Sequence, residues 1–344
     1  MNIDKNQQPI VVTIRCVTYN HEPYIRQCLN GFVMQKTNFR FEAIVHDDAS
    51  TDGTAAIVKE YAEKYPDIIK PIFETENQYS KRDGSIRRIM NNAICQTAKY
   101  IAFCEGDDYW TDPLKLQKQF DFMEANPEYG LVYTKAIVYN QASNKYTSTI
   151  GNPYNNDIAD IILKNPIPTL TVMIRKDIFF KYSEEVKPQT KNWKMGDYPM
   201  WIYCSIKSKI KFIDLTTAVY RELSESASHS KNYKTLLSFK LSTLDIQKYY
   251  IDNYNINNSL GWSQRSFDII KLNFYIDNMI LIARCNDKKI NNEQYRFLRN
   301  NKLYGLLMFC KLFSIFKSSR YATAALYRAS NFCIKWGLIK SRFN

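Results

Sequence analysis

Three times in the N-terminal part of this chain an apolar, strand-like run breaks off into a polar or acidic cluster. The runs are IVVTIRCVTYN (Ile10 to Asn20), FEAIVHDDAST (Phe41 to Thr51) and KYIAFCEGDDYW (Lys99 to Trp110). Helical patterns separate them. EPYIRQCLNGFVMQ sets Tyr24, Cys28 and Phe32 four apart, on one helix face. DGTAAIVKEYAEKY reads as an amphipathic helix starting beside Asp52, IIKPIFE as a further strand, and roughly Ser85 to Gln96 as a helix. Strand and helix in this rhythm require a parallel sheet with crossover helices. The expected class is therefore α/β: a Rossmann-like, mostly parallel sheet flanked by helices. Ligands of such sheets gather beyond the carboxyl ends of the strands. If the strands are parallel, TYNHE, HDDASTDGT and EGDDYW share one edge.

From about Gly130 to Ser230 the pattern is less regular. YGLVYTKAIVYN alternates as strands do, NPIPTLTVMIRKDIF reads as strand then helix, and GDYPMWIYCSIK opens a helix. IKFIDLTTAVYRE is either a strand pair or one strand with a bend. Beyond Tyr233 the pattern is mostly helical, which adds a helical C-terminal extension to the expected fold.

Charge narrows the partners. The formal net charge is +13, which suits an anionic partner such as nucleic acid, a membrane surface or a phosphorylated substrate. Yet no acidic residue follows Glu293, while Lys302, Lys311, Lys317, Arg320, Arg328, Lys335, Lys340 and Arg342 all do. The excess is largely C-terminal, and the strand ends are acidic. A nucleic-acid-binding protein would carry its basic and aromatic residues together around the core, so no nucleic acid is expected. The 8 cysteines are scattered without a C-x-x-C pair, and the opening MNIDKNQQPI has no apolar stretch of the signal-peptide kind. These features lead us to expect a reduced, cytoplasmic protein.

Glu105, Asp107 and Asp108 crowd negative charge at the end of a buried-looking strand, where like charges repel. Neighbouring carboxylates at a strand end suit a hard divalent cation, Mg2+ or Mn2+, that also bridges phosphate oxygens. A solvated acidic loop, with Asp112 capping the next helix, is the plain alternative for any single acid. It is weaker for two acidic clusters at successive strand ends. In the other cluster, Asp47 or Asp48 would accept from a base or ribose, and Asp52 reads as a structural cap.

TYNHEPYIRQCL, DDASTDGT and CEGDDYWTDPLKLQKQ, in this order and at these separations, resemble the family 2 glycosyltransferases of GT-A fold, closest to the bacterial members that build surface polysaccharides. The likeness covers roughly Val11 to Ser230. It implies a GT-A catalytic domain over residues 1–232, with nucleotide-sugar binding at about 10–130 and the acceptor side at about 131–232, before a basic helical region over 233–344. It also implies transfer of a hexosyl or N-acetylhexosaminyl group from a nucleotide-diphosphate donor, UDP in the first instance, with inversion and with Mn2+ or Mg2+. The acceptor would be a glycan or a lipid-linked glycan.

Carried over by position, Glu105-Gly106-Asp107 stands where the family has Asp-x-Asp. Asp107 is then the metal ligand, with Glu105 beside it as a departure from the usual Asp, and Asp108 supports metal or ribose. Asp48 matches the acid that contacts the base. Thr18, Tyr19, Asn20 and Glu22 belong to the loop that lines the nucleotide pocket. WKMGDYPMW matches the place of the catalytic base, which makes Asp197 the candidate; Gly196 replaces the usual Glu. Without the resemblance Asp197 reads as a helix-start acid. In AVYRELSESASHS, Arg221 or His229 would approach the diphosphate, with His229 alternatively a metal ligand. His21 is undecided, His46 reads as a packing residue, and Arg87 and Arg88 as a solvated face.

Phe332, Trp336 and Ile339 at i, i+4 and i+7, with the apolar run Leu303 to Phe316, form basic amphipathic patterns. Such patterns fit peripheral attachment to an anionic membrane face or packing in a bundle or homo-oligomer. A nucleotidyltransferase would share the sheet and the metal, but TYNHEPY offers no glycine-rich loop with Arg or Lys after the first strand.

Overall fold

The structure, a computed structural model, describes residues 8–154, 158–163, 165–223, 232–254, 256, 264–285 and 287–300. His229 and the basic amphipathic segments beyond residue 300 lie outside the described residues. The chain divides into two compact units, Met1–Ser224 and Glu225–Asn344.

The first unit opens with β1 (Ile10–Thr18), α1 (Glu22–Val33), β2 (Arg40–Asp47), α2 (Thr54–Lys64), β3 (Ile69–Phe73), α3 (Gln78–Lys81), α4 (Ser85–Ala93) and β4 (Tyr100–Phe103). It continues through β5 (Tyr109–Trp110), α5 (Lys115–Ala125), β6 (Tyr129–Asn140), β7 (Lys145–Ile150), α6 (Ile158–Leu163) and β8 (Met173–Arg175). Last come α7 (Lys176–Glu185), α8 (Tyr198–Lys207) and β9 (Lys209–Glu222). Among the described residues the strands form one sheet in the order β3-β2-β1-β4-β8-β6-β9-β5, with β7 paired to β6. β1 is parallel to β2 and β4, β2 to β3, and β6 to β9. β8, β5 and β7 run antiparallel to their neighbours.

Burial explains the local choices. Val12, Ile14 and Cys16 point to one face of β1 by the period-2 rule and meet Ile25, Cys28, Leu29 and Phe32 of α1. Each such side chain contributes about 1.5–3 kcal/mol when removed from water. β2 is buried along nearly its whole length, as expected of a parallel strand covered on both faces. α1 carries Pro23 in its first turn, which its fixed φ suits. It closes over Trp110 at Gly31, where a Cβ would stand 2.9 Å from the Trp110 nitrogen. IKFIDLTTAVYRE resolves as one strand, β9, whose pairing with β6 shifts register between Tyr133 and Ala136. Two strands were not foreseen: Tyr109–Trp110, too short to show a pattern, and Lys145–Ile150, whose polar, exposed residues carry none.

The second unit contains α9 (Tyr233–Asn253), α10 (Gln264–Asp277), α11 (Met279–Cys285) and α12 (Lys288–Asn300). Leu237, Tyr275, Ile282 and Cys285 form a small core within it. No helix of the described residues is long and apolar enough to cross a membrane.

Candidate active site

The parallel register places Thr18 beside Asp47 and Arg15 beside Phe103. The three polar clusters therefore lie on one edge of the sheet, each just past a strand end. The first two are clasped together by hydrogen bonds. The Asn20 N–H donates to Ser50 Oγ at 2.9 Å, and Asn20 Oδ1 accepts from the Thr51 N–H at 2.8 Å. The Glu22 N–H donates to Asp52 Oδ2 at 3.0 Å, and Glu22 Oε2 accepts from the Gly53 N–H at 2.8 Å. Asn20 does this from the left-handed region, φ 54°, which asparagine tolerates better than most residues. Asn20 and Glu22 thus shape this wall through the main chain of the second cluster. Tyr19, 43% exposed, is the large ring the loop leaves open.

Asp48, matched by position to a base-contacting acid, is only 1% exposed. Its two oxygens accept from the main-chain N–H groups of Gln78 at 2.7 Å and Tyr79 at 3.0 Å. In this arrangement it anchors the start of α3, a partner in another loop that sequence reasoning did not see. Asp47 accepts from Ser50, and Asp52 from Thr54 as a cap would. Asp112 likewise accepts from the Leu114 N–H at the start of α5.

After β4 the chain stays against β1: the Cys104 N–H donates to the Arg15 carbonyl and the Gly106 N–H to the Val17 carbonyl. Gly106 is forced here by crowding, since a Cβ would come 2.5 Å from Thr18 Oγ1 and 3.0 Å from His21 Nδ1. Both of those atoms are buried without a hydrogen-bond partner. Burial pushes the His21 pKa below its ordinary value, although Asp107, Asp52 and Asp47 pull the other way.

The carboxylates of the third cluster divide by environment. Asp108 is 4% exposed, and its Oδ1 accepts from the Arg221 N–H at 2.7 Å. Burial, with the charge of Asp107, lifts its carboxyl well above the usual range. Glu105 is exposed, yet protein surrounds it closely enough that its carboxyl is pushed up to about 7, by burial first and then by the charges of Asp107 and Asp197. Asp107 is partly exposed. Among the described residues neither the Glu105 nor the Asp107 carboxylate accepts a hydrogen bond from the protein. Two such neighbouring oxygen donors suit a hard divalent cation that takes its remaining ligands from phosphate and water. No three His, Cys, Asp or Glu side chains of the described residues converge as a complete protein cage.

Asp197 begins α8. Its Oδ1 accepts from the Tyr198 N–H at 2.7 Å and its Oδ2 from Thr169 Oγ1 at 2.6 Å. It caps its helix, as the helix-start reading expects, and also acts electrostatically on Glu105. Arg221 is 6% exposed. Its Nε donates to the Asp107 carbonyl at 2.8 Å, Nη1 to Gln141 and Nη2 to Gln27, both at 2.7 Å. The rings of Tyr24, Tyr109 and Tyr139 surround its Cζ at 4.7, 5.4 and 5.6 Å. In this structure Arg221 ties the acidic loop to β9 and α1. Gln27, Thr169 and His21 are the site residues that sequence reasoning left unassigned; only distant pairings place them here.

Residues 13–181 match the profile described as Glycosyl transferase family 2. Among curated proteins, the uncharacterized protein Rv1520 of Mycobacterium tuberculosis is 32% identical over 221 residues, 64% of this chain and 61% of that protein. The chain thus spans under two thirds of the length of the relatives it first matches. The putative teichuronic acid biosynthesis glycosyltransferase TuaG of Bacillus subtilis is 29% identical over 174 residues, 50% of this chain and 64% of that protein. Among solved structures, Staphylococcus aureus TarS 1–349 in complex with UDP-GlcNAc superposes with a TM-score of 0.60 at 17% identity, covering 97% of this chain and 94% of that one.

Proposed function

The chain belongs, over residues 13–181, to glycosyl transferase family 2, and from that premise we propose that it is an inverting glycosyltransferase of surface-polysaccharide synthesis. It takes a sugar from a nucleotide-diphosphate donor, UDP-linked in the first instance, and passes it to a glycan or lipid-linked acceptor. The observation that carries this reading is the pair of carboxylates, Glu105 and Asp107, without protein hydrogen-bond partners at the edge of the sheet, with Asp197 acting electrostatically on Glu105. TuaG, named for teichuronic acid biosynthesis, and TarS, solved with UDP-GlcNAc, support the substrate class.

The residues divide the work. Glu105 and Asp107 would hold Mn2+ or Mg2+, which supplies positive charge for the diphosphate as it leaves. Thr18, Tyr19 and His21 line the donor side, while Asn20, Glu22 and Asp48 fix that wall through their hydrogen bonds. Asp108 and Arg221 position the acidic loop from behind. On the other side, Thr169 orients Asp197 to accept the proton of the acceptor hydroxyl. That oxygen attacks the anomeric carbon from the face opposite the diphosphate. The new glycosidic bond forms as the bond to the diphosphate breaks, and the nucleoside diphosphate departs. The basic tail is assigned to an anionic membrane surface at the cytoplasmic face, where a lipid-linked acceptor resides.

A donor-hydrolysis screen across UDP-, GDP- and dTDP-sugars, with and without a chelator, tests the proposal. One donor class should be turned over well above the others, and chelation should stop it. Equal, chelator-insensitive inertness toward every donor would overturn the reading.

A further inference from the structure

Two arginines in the first unit meet aromatic rings where carboxylates would be expected. Arg15 follows Ile14 on β1, so its side chain emerges on the face opposite Val12, Ile14 and Cys16. Its Cζ lies 5.0 Å from the centre of the Phe179 ring and 5.8 Å from that of Phe103. Its Nε is buried with no hydrogen-bond partner. Arg87 of α4 reaches the same place. Burial first and the charge of Arg87 second push the Arg15 pKa down to about 9. Arg87 is half-buried where a solvated face was expected. Its Cζ packs 5.8 Å from the centre of the Tyr182 ring. Neither arginine forms an ion pair or side-chain hydrogen bond among the described residues.

A half-buried cation whose Nε has no partner, beside a second cation, costs stability that an anion would offset. The chain carries that cost at one particular spot. A Cβ placed on Gly196 would lie 3.7 Å from Arg87 Nη2, so the guanidinium stands next to the residue preceding Asp197, where no side chain intervenes. A glutamate at position 196 would pair with Arg87 and cancel it; glycine leaves the charge available. On the donor side, Gly106 packs against Thr18 and His21, and Asp107 acts on His21.

We propose that Arg15 and Arg87 form an anion site beside Asp197, on the acceptor side, and that it takes a phosphate group borne by the acceptor. The inference rests on the transferase reading, because Asp197 defines the acceptor side. Arg87 makes the contact, with its planar fork suited to two phosphate oxygens. Arg15, half-buried beside it, strengthens the field from a position that water screens only in part.

The test uses glycerol 3-phosphate as the acceptor-like probe, glycerol as its neutral control and UDP with Mn2+ as the donor probe. Each is titrated calorimetrically into the full chain, the Arg87→Gln, Arg87→Lys and Gly196→Glu variants. Glycerol 3-phosphate should bind the parent chain and glycerol should not. Arg87→Gln and Gly196→Glu should weaken glycerol 3-phosphate by about tenfold or more, Arg87→Lys by less, and UDP should change less than about twofold. Circular dichroism melts confirm that each variant is folded. UDP weakened as much as glycerol 3-phosphate would assign the arginines to the donor diphosphate and overturn the proposal, as would glycerol 3-phosphate binding indifferent to both changes. A parent chain that binds glycerol 3-phosphate but no nucleotide would count against the transferase reading instead.

Discussion

Replacing Asp107 by Asn is expected to lower donor turnover by about 10²–10⁴-fold while leaving the protein folded. The substitution keeps the shape of the side chain and removes one negative charge. Nothing in the described structure hydrogen-bonds that carboxylate, so no internal contact is lost. Its charge instead raises the pKa of both Glu105 and Asp108, which is repulsion built into the fold. The sign follows. A carboxyl whose folded pKa is raised costs stability progressively as pH climbs from the ordinary glutamate range to the folded value, here about 7 for Glu105. Removing Asp107 lessens that cost without abolishing it, since burial is the larger cause. In chelator, the variant should therefore melt at or above the parent temperature near neutral pH, with the difference shrinking toward acid. Turnover lost together with stability kept or gained marks a functional residue. Turnover retained would remove Asp107 from the metal site.

Asp197→Asn should separate binding from transfer. Asparagine is as good a helix start as aspartate, and its oxygen can still accept from the Tyr198 N–H, as Oδ1 now does. The fold and the donor affinity should be nearly unchanged. An amide cannot take up the acceptor's proton, so the transfer rate should fall by about 10²–10⁴-fold. Rates measured with the donor identified by the hydrolysis screen, beside UDP affinity for the same variant, distinguish the two effects. Transfer at the parent rate would leave Asp197 as a helix cap alone.

What the sequence disclosed and what it hid follow from the range of the interactions. The central parallel strands were legible because local apolar patterning dictates β1, β2, β3 and β4, and parallel pairing then brings their polar ends to one edge. Within that edge the residue types were legible but their environments were not. Asp48 and Asp107 look alike in the chain. The carboxylate of one is enclosed by the first two main-chain N–H groups of α3, that of the other accepts no hydrogen bond from the described residues. Arg221 was noticed for its charge, yet what holds it includes Gln27, 194 positions away in sequence. No local pattern reports such a pairing. Arg87 was read as solvated for the same reason: its neighbours, Tyr182, Gly196 and Arg15, come from three other segments. Only the folded sheet with its helices brings them together.

These cases share one physical cause. A strand or an amphipathic helix is specified by residues a few positions apart. The protonation, exposure and partners of a buried polar group are set by whatever the fold brings beside it. Glu105 illustrates the difference. As a departure from the usual Asp it drew notice in the sequence, but its raised pKa comes from burial first, then from Asp107 and from Asp197, which a helix start far along the chain supplies.

The central claim is that the acidic strand end is half of a cation-and-diphosphate site. Equilibrium binding of UDP to the full chain, with and without Mn2+, beside a single-stranded oligonucleotide of equal charge, tests it most directly. UDP should bind only when the metal is present, lose that dependence and most of its affinity in Asp107→Asn, and outcompete the oligonucleotide. Oligonucleotide binding without UDP binding, or UDP affinity indifferent to both metal and Asp107, would contradict it.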